Sequence, residues 1–274
     1  MNQNTITTIC FRGIKPGKSY ILITIVITSC LLTSCSRRQA DEIPPPAISD
    51  QAISEALNKS ADLFKDREDA AKLQQAVDVL ATVRDRDHRN FEVEWKFSKY
   101  NYFLGKQMTS DDDAEKALRA GRDAGRIASR LEPNKPDGYF WTGANLGEMS
   151  RRSPITVGIK SVDDIREAMN KVIELDPGYQ NASAYDVLAQ VEMATRLTGG
   201  SADKAVEYLE KGLALEKNNA LLRLHLAQAY LAVKKDAQAK AQIDYILHMD
   251  PPTDYLPEYR DSVEQAKKLL HNNF

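Results

Sequence analysis

ADKAVEYLEKGLALEKNN, Ala202 to Asn219, and AQAKAQIDYILHMDPPT, Ala237 to Thr253, decide the fold. Ala205 aligns with Ala239, Leu209 with Ile243 and Gly212 with Ile246, each at an offset of 34. Within each copy the apolar residues return every three to four positions, the spacing of one helix face. Between the copies, Leu222, Leu226, Ala229, Tyr230 and Val233 line one face of a helix, while Leu221, Leu224, Ala227 and Leu231 fill another. A helix apolar on most sides sits between neighbours. The repeating unit is therefore a pair of helices, with small residues where they approach.

A period of 34 resembles the tetratricopeptide repeat (TPR), in which two antiparallel helices pack and neighbouring units stack. The last unit matches best, with Leu226, Ala227 and Tyr230 in its first helix, Ala239 in its second and Pro251 at its end. Upstream, Leu131-Glu132-Pro133 and Leu175-Asp176-Pro177 are like the closing turn of such a unit. Proline stops a helix because it cannot donate and its ring clashes one turn back.

Working back from the C-terminus predicts pairs at about 47–65 with 70–86, 90–106 with 112–131, 137–150 with 161–174, 181–197 with 202–216 and 219–234 with 236–249, and a capping helix over 257–270. Asp112-x-x-Glu115 and Ser161-x-x-Asp164 read as helix starts. Gly199-Gly200 reads as a stop before Ser201 caps the next helix. The middle is irregular: Ser150 to Lys160, SRRSPITVGIK, reads as a long loop. The fold class is all-α: an α-solenoid of about five irregular TPR-like pairs with a C-terminal cap, and no convincing strand after Ala47.

The composition agrees. The chain has 274 residues, 42% hydrophobic and 28% charged, too polar for a polytopic membrane protein. With 37 basic against 39 acidic residues, no basic excess points to nucleic acid.

Residues 1–34 differ in kind. They carry Arg12, Lys15 and Lys18 and no acid, so the remainder has 34 basic against 39 acidic residues. Tyr20 to Leu32, YILITIVITSCLL, is an apolar run of 13, shorter than the roughly 20 residues that span a bilayer. This is the layout of a secretory signal peptide. Leu32-Thr33-Ser34-Cys35 resembles a bacterial lipobox, which implies lipidation of Cys35 and cleavage before it. Ile27-Thr28-Ser29-Cys30 fits the same pattern. Cys35 is preferred because the apolar core is then longer and polar sequence follows at once. Cleavage there removes Cys10 and Cys30 and leaves one acylated thiol, hence no disulfide framework. Residues 35–46 then form a polar, proline-ending tether, and 47–274 the solenoid. Ser36 after the lipid-bearing residue leans, by analogy, toward the outer membrane.

One stretch is more specific. Tyr139 to Gly147, YFWTGANLG, leads into RRSPITVG, and VIELDPGYQNASAY and TGGSADKAVEYLEKGL follow. With the lipobox, this resembles the T-component (TatT) family of TPR lipoproteins associated with tripartite ATP-independent (TRAP) transporters. The similarity covers roughly 90–230 and is strongest across 139–219. It implies an all-helical periplasmic protein that associates with the periplasmic solute-binding protein of a TRAP transporter. It also implies homo-oligomers and a hydrophobic cleft or pore for a small ligand.

Chemistry-bearing motifs point away from an enzyme and imply no cofactor. His88, His225, His248 and His271 form no HExxH and pair with no cysteine at metal-ligand spacing. There is no GxGxxG, Walker loop or GxSxG. Asp111-Asp112-Asp113 reads as a solvated helix start, and His225 as a packed or rim residue.

Binding is the better reading. Trp95 and Tyr102 lie seven apart on one helix face, and Tyr139 and Trp141 begin the next pair. First helices line the concave side of a TPR array, where aromatics stack on a ligand or anchor a partner; packing between helices uses the same residues. Arg151 and Arg152, with Lys160, put cations into the central segment for an anionic ligand or partner surface. Gly143 and Gly147, four apart, are expected to let a helix approach. The sequence thus reads as a non-catalytic accessory component of TRAP-type uptake. The alternative is a scaffold for an outer-membrane or envelope secretion or export complex.

Overall fold

The computed structural model describes residues 47–253 and 255–274. The expected signal peptide, the expected lipidation at Cys35 and the expected tether lie outside the described residues. Among the described residues there are eleven α-helices and no strand. They are α1 (Asp50–Lys65), α2 (Ala70–Ala81), α3 (Phe91–Gln107), α4 (Asp111–Leu131), α5 (Asp137–Arg152), α6 (Ile159–Leu175), α7 (Tyr179–Ala194), α8 (Ala202–Leu215), α9 (Ala220–Ala232), α10 (Asp236–His248) and α11 (Leu256–Asn273). Five consecutive pairs and a last helix result, as the repeat predicts, in an all-α TPR-like solenoid.

Side-chain caps fix many of the starts. Ser49, Asp69, Asn90, Ser110, Ser201 and Asn219 each accept a hydrogen bond from a backbone N–H of the first turn. Ser201 acts as expected, after Gly199 turns left-handed at φ 112°. Two expected starts are corrected. Ser110 rather than Asp112 caps α4, and Ser161 lies inside α6, which begins at Ile159. The long loop is also corrected: α5 runs through Arg152, and Pro154–Gly158 form a π-helical turn leading straight into α6.

Helices within a pair pack face to face, and first helices also touch the next first helix, as in α3–α5, α7–α9 and α9–α11. Among the described residues successive second helices lie farther apart, linked by side chains such as Arg126 and Asp164 at 3.0 Å. The first helices therefore form the inner row of the curve and the second helices the outer row. Between the rows run successive cores: Leu73, Leu80, Phe97 and Leu104; then Trp141, Ile165, Met169 and Leu188; then Leu209, Leu222, Leu226 and Ile243. The apolar face read from the sequence at 222–230 is buried there, as are Leu73, Ala76, Val77 and Leu80 of α2.

Asn145, fully buried on α5, donates to the carbonyls of Trp141 at 2.7 Å and Ser98 at 3.2 Å, tying α5 to α3. A Cβ at Gly143 would run into the Met169 side chain, so this glycine serves helix approach as expected. Gly147 does not: a Cβ there meets nothing within 4 Å.

Candidate ligand- and partner-binding face

The inner surface of α3 is built from Trp95, Lys99, Tyr102 and Lys106, spaced by four, three and four residues so that they stack on one side. The opposite side of α3, Val93, Phe97, Tyr100 and Leu104, is buried in the core. Tyr102 and Phe103 meet Trp141 of α5, with ring centroids 5.7 and 6.1 Å apart. Phe64, at the end of α1, stacks on Tyr100 at 4.3 Å and meets Phe103 edge-on at 5.2 Å. These rings make a continuous aromatic wall from α1 to α5.

Cations lie over that wall. Lys99 Nζ is 4.9 Å from the Phe64 ring centre and 5.5 Å from that of Trp141. Lys106 Nζ is 5.6 Å from the Tyr102 ring. Such placements are attractive because the ring face is the negative end of its quadrupole. Burial pushes the Lys99 ammonium down to about 8; the Arg67 guanidinium pushes the same way and Glu258 opposes it. Burial also raises the Tyr102 phenol, with Lys106 opposing and Glu148 and Asp186 adding to it. Glu148 is on α5 and Asp186 on α7, so the inner row brings both into the field of α3. Further along, Asp186 Oδ1 is 2.6 Å from His225 Nδ1 of α9.

The other expected residues have different places. Trp95 packs beside the Trp141 core, with Lys96 over its ring at 5.6 Å. Trp141 is itself only 3% exposed. Tyr139 packs against the edge of the same core, donates to the Pro133 carbonyl at 3.3 Å and lines an outer groove of about 680 Å³ with Arg126, Ser129, Asp164 and Lys171. Trp95, Tyr102 and Tyr139 therefore all pack against the core that holds Trp141, with Tyr139 at its edge on the groove side.

Arg151 and Arg152 are in the last turn of α5 rather than in a loop. Arg152 is engaged within the fold: it bridges Glu148 at 3.1 Å and Asp111 at 3.0 Å, and donates to the carbonyls of Gly105, Lys106 and Met108, closing the end of α3. Arg151 grips the same Glu148 at 2.6 and 2.8 Å. Burial works against the Glu148 carboxylate, but the two guanidinium groups outweigh it and hold it below the usual range. Phe64, Lys99, Lys106 and Glu258 are among the inner-face residues not singled out from the sequence. Lys99 was legible in one respect, since it shares the helix face of Trp95 and Tyr102. Among the described residues no group of three or more His, Cys, Asp or Glu is placed to hold a metal ion, and no helix is long and apolar enough to cross a membrane.

The sequence profile of the regulator of microtubule dynamics proteins 1–3 matches residues 57–273, from the middle of α1 to the end of α11. The chain belongs to this family. No curated protein sequence matches. Among solved structures, a thermophilic TPR protein of Thermus thermophilus is similar at 18% identity and a TM-score of 0.57, over 79% of this chain and 98% of its own. Two MamA structures, from MSR-1 and AMB-1, are 15% identical over 81% of this chain and 97% and 91% of theirs, each with a TM-score of 0.44. The Thermus likeness places this member of the family in the TPR-like fold.

Proposed function

We propose that this chain is a non-catalytic docking protein. It is anchored through lipidated Cys35, faces the periplasm from a bacterial membrane, the outer one by analogy, and serves a TRAP-type solute uptake system. The observation that carries docking is the inner row of first helices, where Tyr102, Phe103 and Trp141 adjoin Lys99 and Lys106. Aromatic faces beside charged groups are the usual anchors of protein–protein contacts. The partner on this reading is a periplasmic solute-binding protein, and docking holds a ligand near the membrane or hands it over. The TRAP assignment is supported by the sequence resemblance across 139–219, and the anchor by the lipobox. The name of the family speaks of microtubule dynamics; a periplasm-facing chain shares the helical scaffold with that family rather than that partner.

A second reading is favoured by the outer groove. Its lining of Arg126, Asp164, Glu167, Lys171 and Glu174 is charged, which suits a polar peptide of an envelope secretion or export complex better than a small apolar solute. Affinity purification of the membrane-anchored chain from its own cells separates the two. Recovery of a solute-binding protein supports the transport role. Its repeated absence, with recovery of outer-membrane assembly machinery instead, supports the scaffold.

A further inference from the structure

We propose that Lys99 and the rings around it form a binding site for a carboxylate joined to an apolar or aromatic body, on the inner face between α1, α3 and α5. Three observations carry it. First, Lys99 Nζ makes no hydrogen bond or ion pair among the described residues; its near neighbours are the faces of Phe64 and Trp141. Second, the acid nearest in effect, Glu258, accepts three hydrogen bonds of 2.8 to 3.1 Å from Arg67 and acts on Lys99 only through its field, without a direct bond. Third, the walls match the body of such a ligand: Phe64, Tyr102, Phe103 and Trp141 form one connected set of rings.

A half-buried ammonium without an anion is costly to hold. Its lowered proton affinity reflects that cost. A carboxylate replaces the missing partner with a charge-assisted hydrogen bond, and a ring or aliphatic body covers the aromatic wall. The groups that face Lys99 are Arg67 and Glu258, together with Lys96 and Asp137. They include both signs, so the site favours a single negative charge over a multiply charged anion.

The site rests on the reading of the inner row as the working face, but not on any protein partner. Both tryptophans, Trp95 and Trp141, lie in or beside the site, so intrinsic fluorescence reports on it. The full-length protein in detergent is titrated with phenylacetate and, as the uncharged counterpart, phenylacetamide. Saturable quenching by phenylacetate is expected, with phenylacetamide weaker by about tenfold or more, as for the loss of a hydrogen bond between charged groups. Lys99→Met keeps the aliphatic stem and should abolish the difference between the two probes. Lys99→Arg should retain it, and circular dichroism checks that both variants are folded. Equal binding of the two probes, unaltered phenylacetate binding in Lys99→Met, or no saturation overturns the site. Failure here with the protein partner still recovered removes only the ligand site; binding here without a protein partner removes only the docking role.

Discussion

Arg67, in the turn after α1, and Glu258, in the first turn of α11, form a forked ion pair across 191 residues of sequence. Arg67 Nε donates to Oε1 at 3.1 Å, and Nη2 donates to Oε1 at 3.1 Å and to Oε2 at 2.8 Å. Both side chains are largely shielded, at 13% and 30% exposed. The pair joins the two ends of the solenoid, and the Arg67 guanidinium also lies 5.4 Å from the Phe64 ring, beside the Lys99 site.

Breaking this pair should loosen the ends more than the middle. A forked, partly shielded pair is worth about 1 kcal/mol, above the usual surface ion pair. A double-mutant cycle with Arg67→Ala and Glu258→Ala, read by urea unfolding, should give a coupling of about that size. Hydrogen exchange should quicken in α11. Strictly additive losses would show that the pair does not link the ends.

Lys99 should lower stability as the chain stands without ligand. Its folded-state proton affinity, at about 8, is below the ordinary value of 10.5. Below pH 8 both the folded and unfolded chains hold the proton, and the cost of the buried charge is fully present. Between about 8 and 10.5 the unfolded chain binds more protons, so stability rises with pH. Lys99→Met should therefore stabilise by about 1–3 kcal/mol at pH 7, with the gain shrinking as pH rises toward 10.5. Urea unfolding of both proteins at pH 7 and pH 10 checks this. A Lys99→Met protein less stable at pH 7 would contradict it.

Glu94 should be among the least tolerant charges. It is fully buried on α3, with Arg84 Nη2 at 2.8 Å from Oε2 and Arg89 Nη1 at 2.8 Å from Oε1. Arg84 also caps the Phe97 ring at 4.0 Å. Removing the carboxylate leaves two guanidinium groups without their acid, a loss of about 3 kcal/mol. Thermal unfolding of Glu94→Ala and of Arg89→Ala compares them, and the acid should cost more. A neutral Glu94→Ala would mean that this cluster does not hold the second pair.

The start of α7 carries a left-handed turn. Gln180, Asn181 and Ala182 have φ of 50°, 56° and 58°, a region disfavoured for side chains with a Cβ. Asn219 ties this turn to α9 by donating to the Asn181 carbonyl at 2.9 Å. Gln180→Gly relieves a clash of about 1 kcal/mol and should be neutral or stabilising, whereas Gln180→Pro, which cannot take positive φ, should destabilise clearly. Melting temperatures of the two variants decide it. A marked loss in Gln180→Gly would contradict the left-handed backbone.

Helix pairing was legible because it depends on local spacing. The 34-residue offset from Leu209 to Ile243, and the apolar stripe from Leu222 to Tyr230, express burial that any stacked helix pair needs. Caps were less legible, because Ser110 and Asp112 are both good acceptors and only the backbone path selects one. The shared face of Trp95 and Tyr102 followed from helical periodicity. Three features had no local signal. The Arg67–Glu258 pair depends on how far the array curls; the three carbonyls that Arg152 holds depend on where α3 ends; and the π-turn at Pro154–Gly158 looks like a loop in one dimension. Tyr139 and Trp141 looked equivalent in sequence, but two residues along a helix is a rotation of about 200°, which buries Trp141 and leaves Tyr139 at the edge of that core beside the outer groove.

The inner face is tested most directly by photocrosslinking in living cells. A photoreactive phenylalanine analogue replaces Tyr102 on the inner row or Arg119 on the exposed side of α4, and crosslinked proteins are identified by mass spectrometry. The account predicts a crosslink to a periplasmic solute-binding protein from position 102 and none from position 119. Crosslinks from position 119 alone, or from position 102 only to outer-membrane assembly machinery, would contradict it.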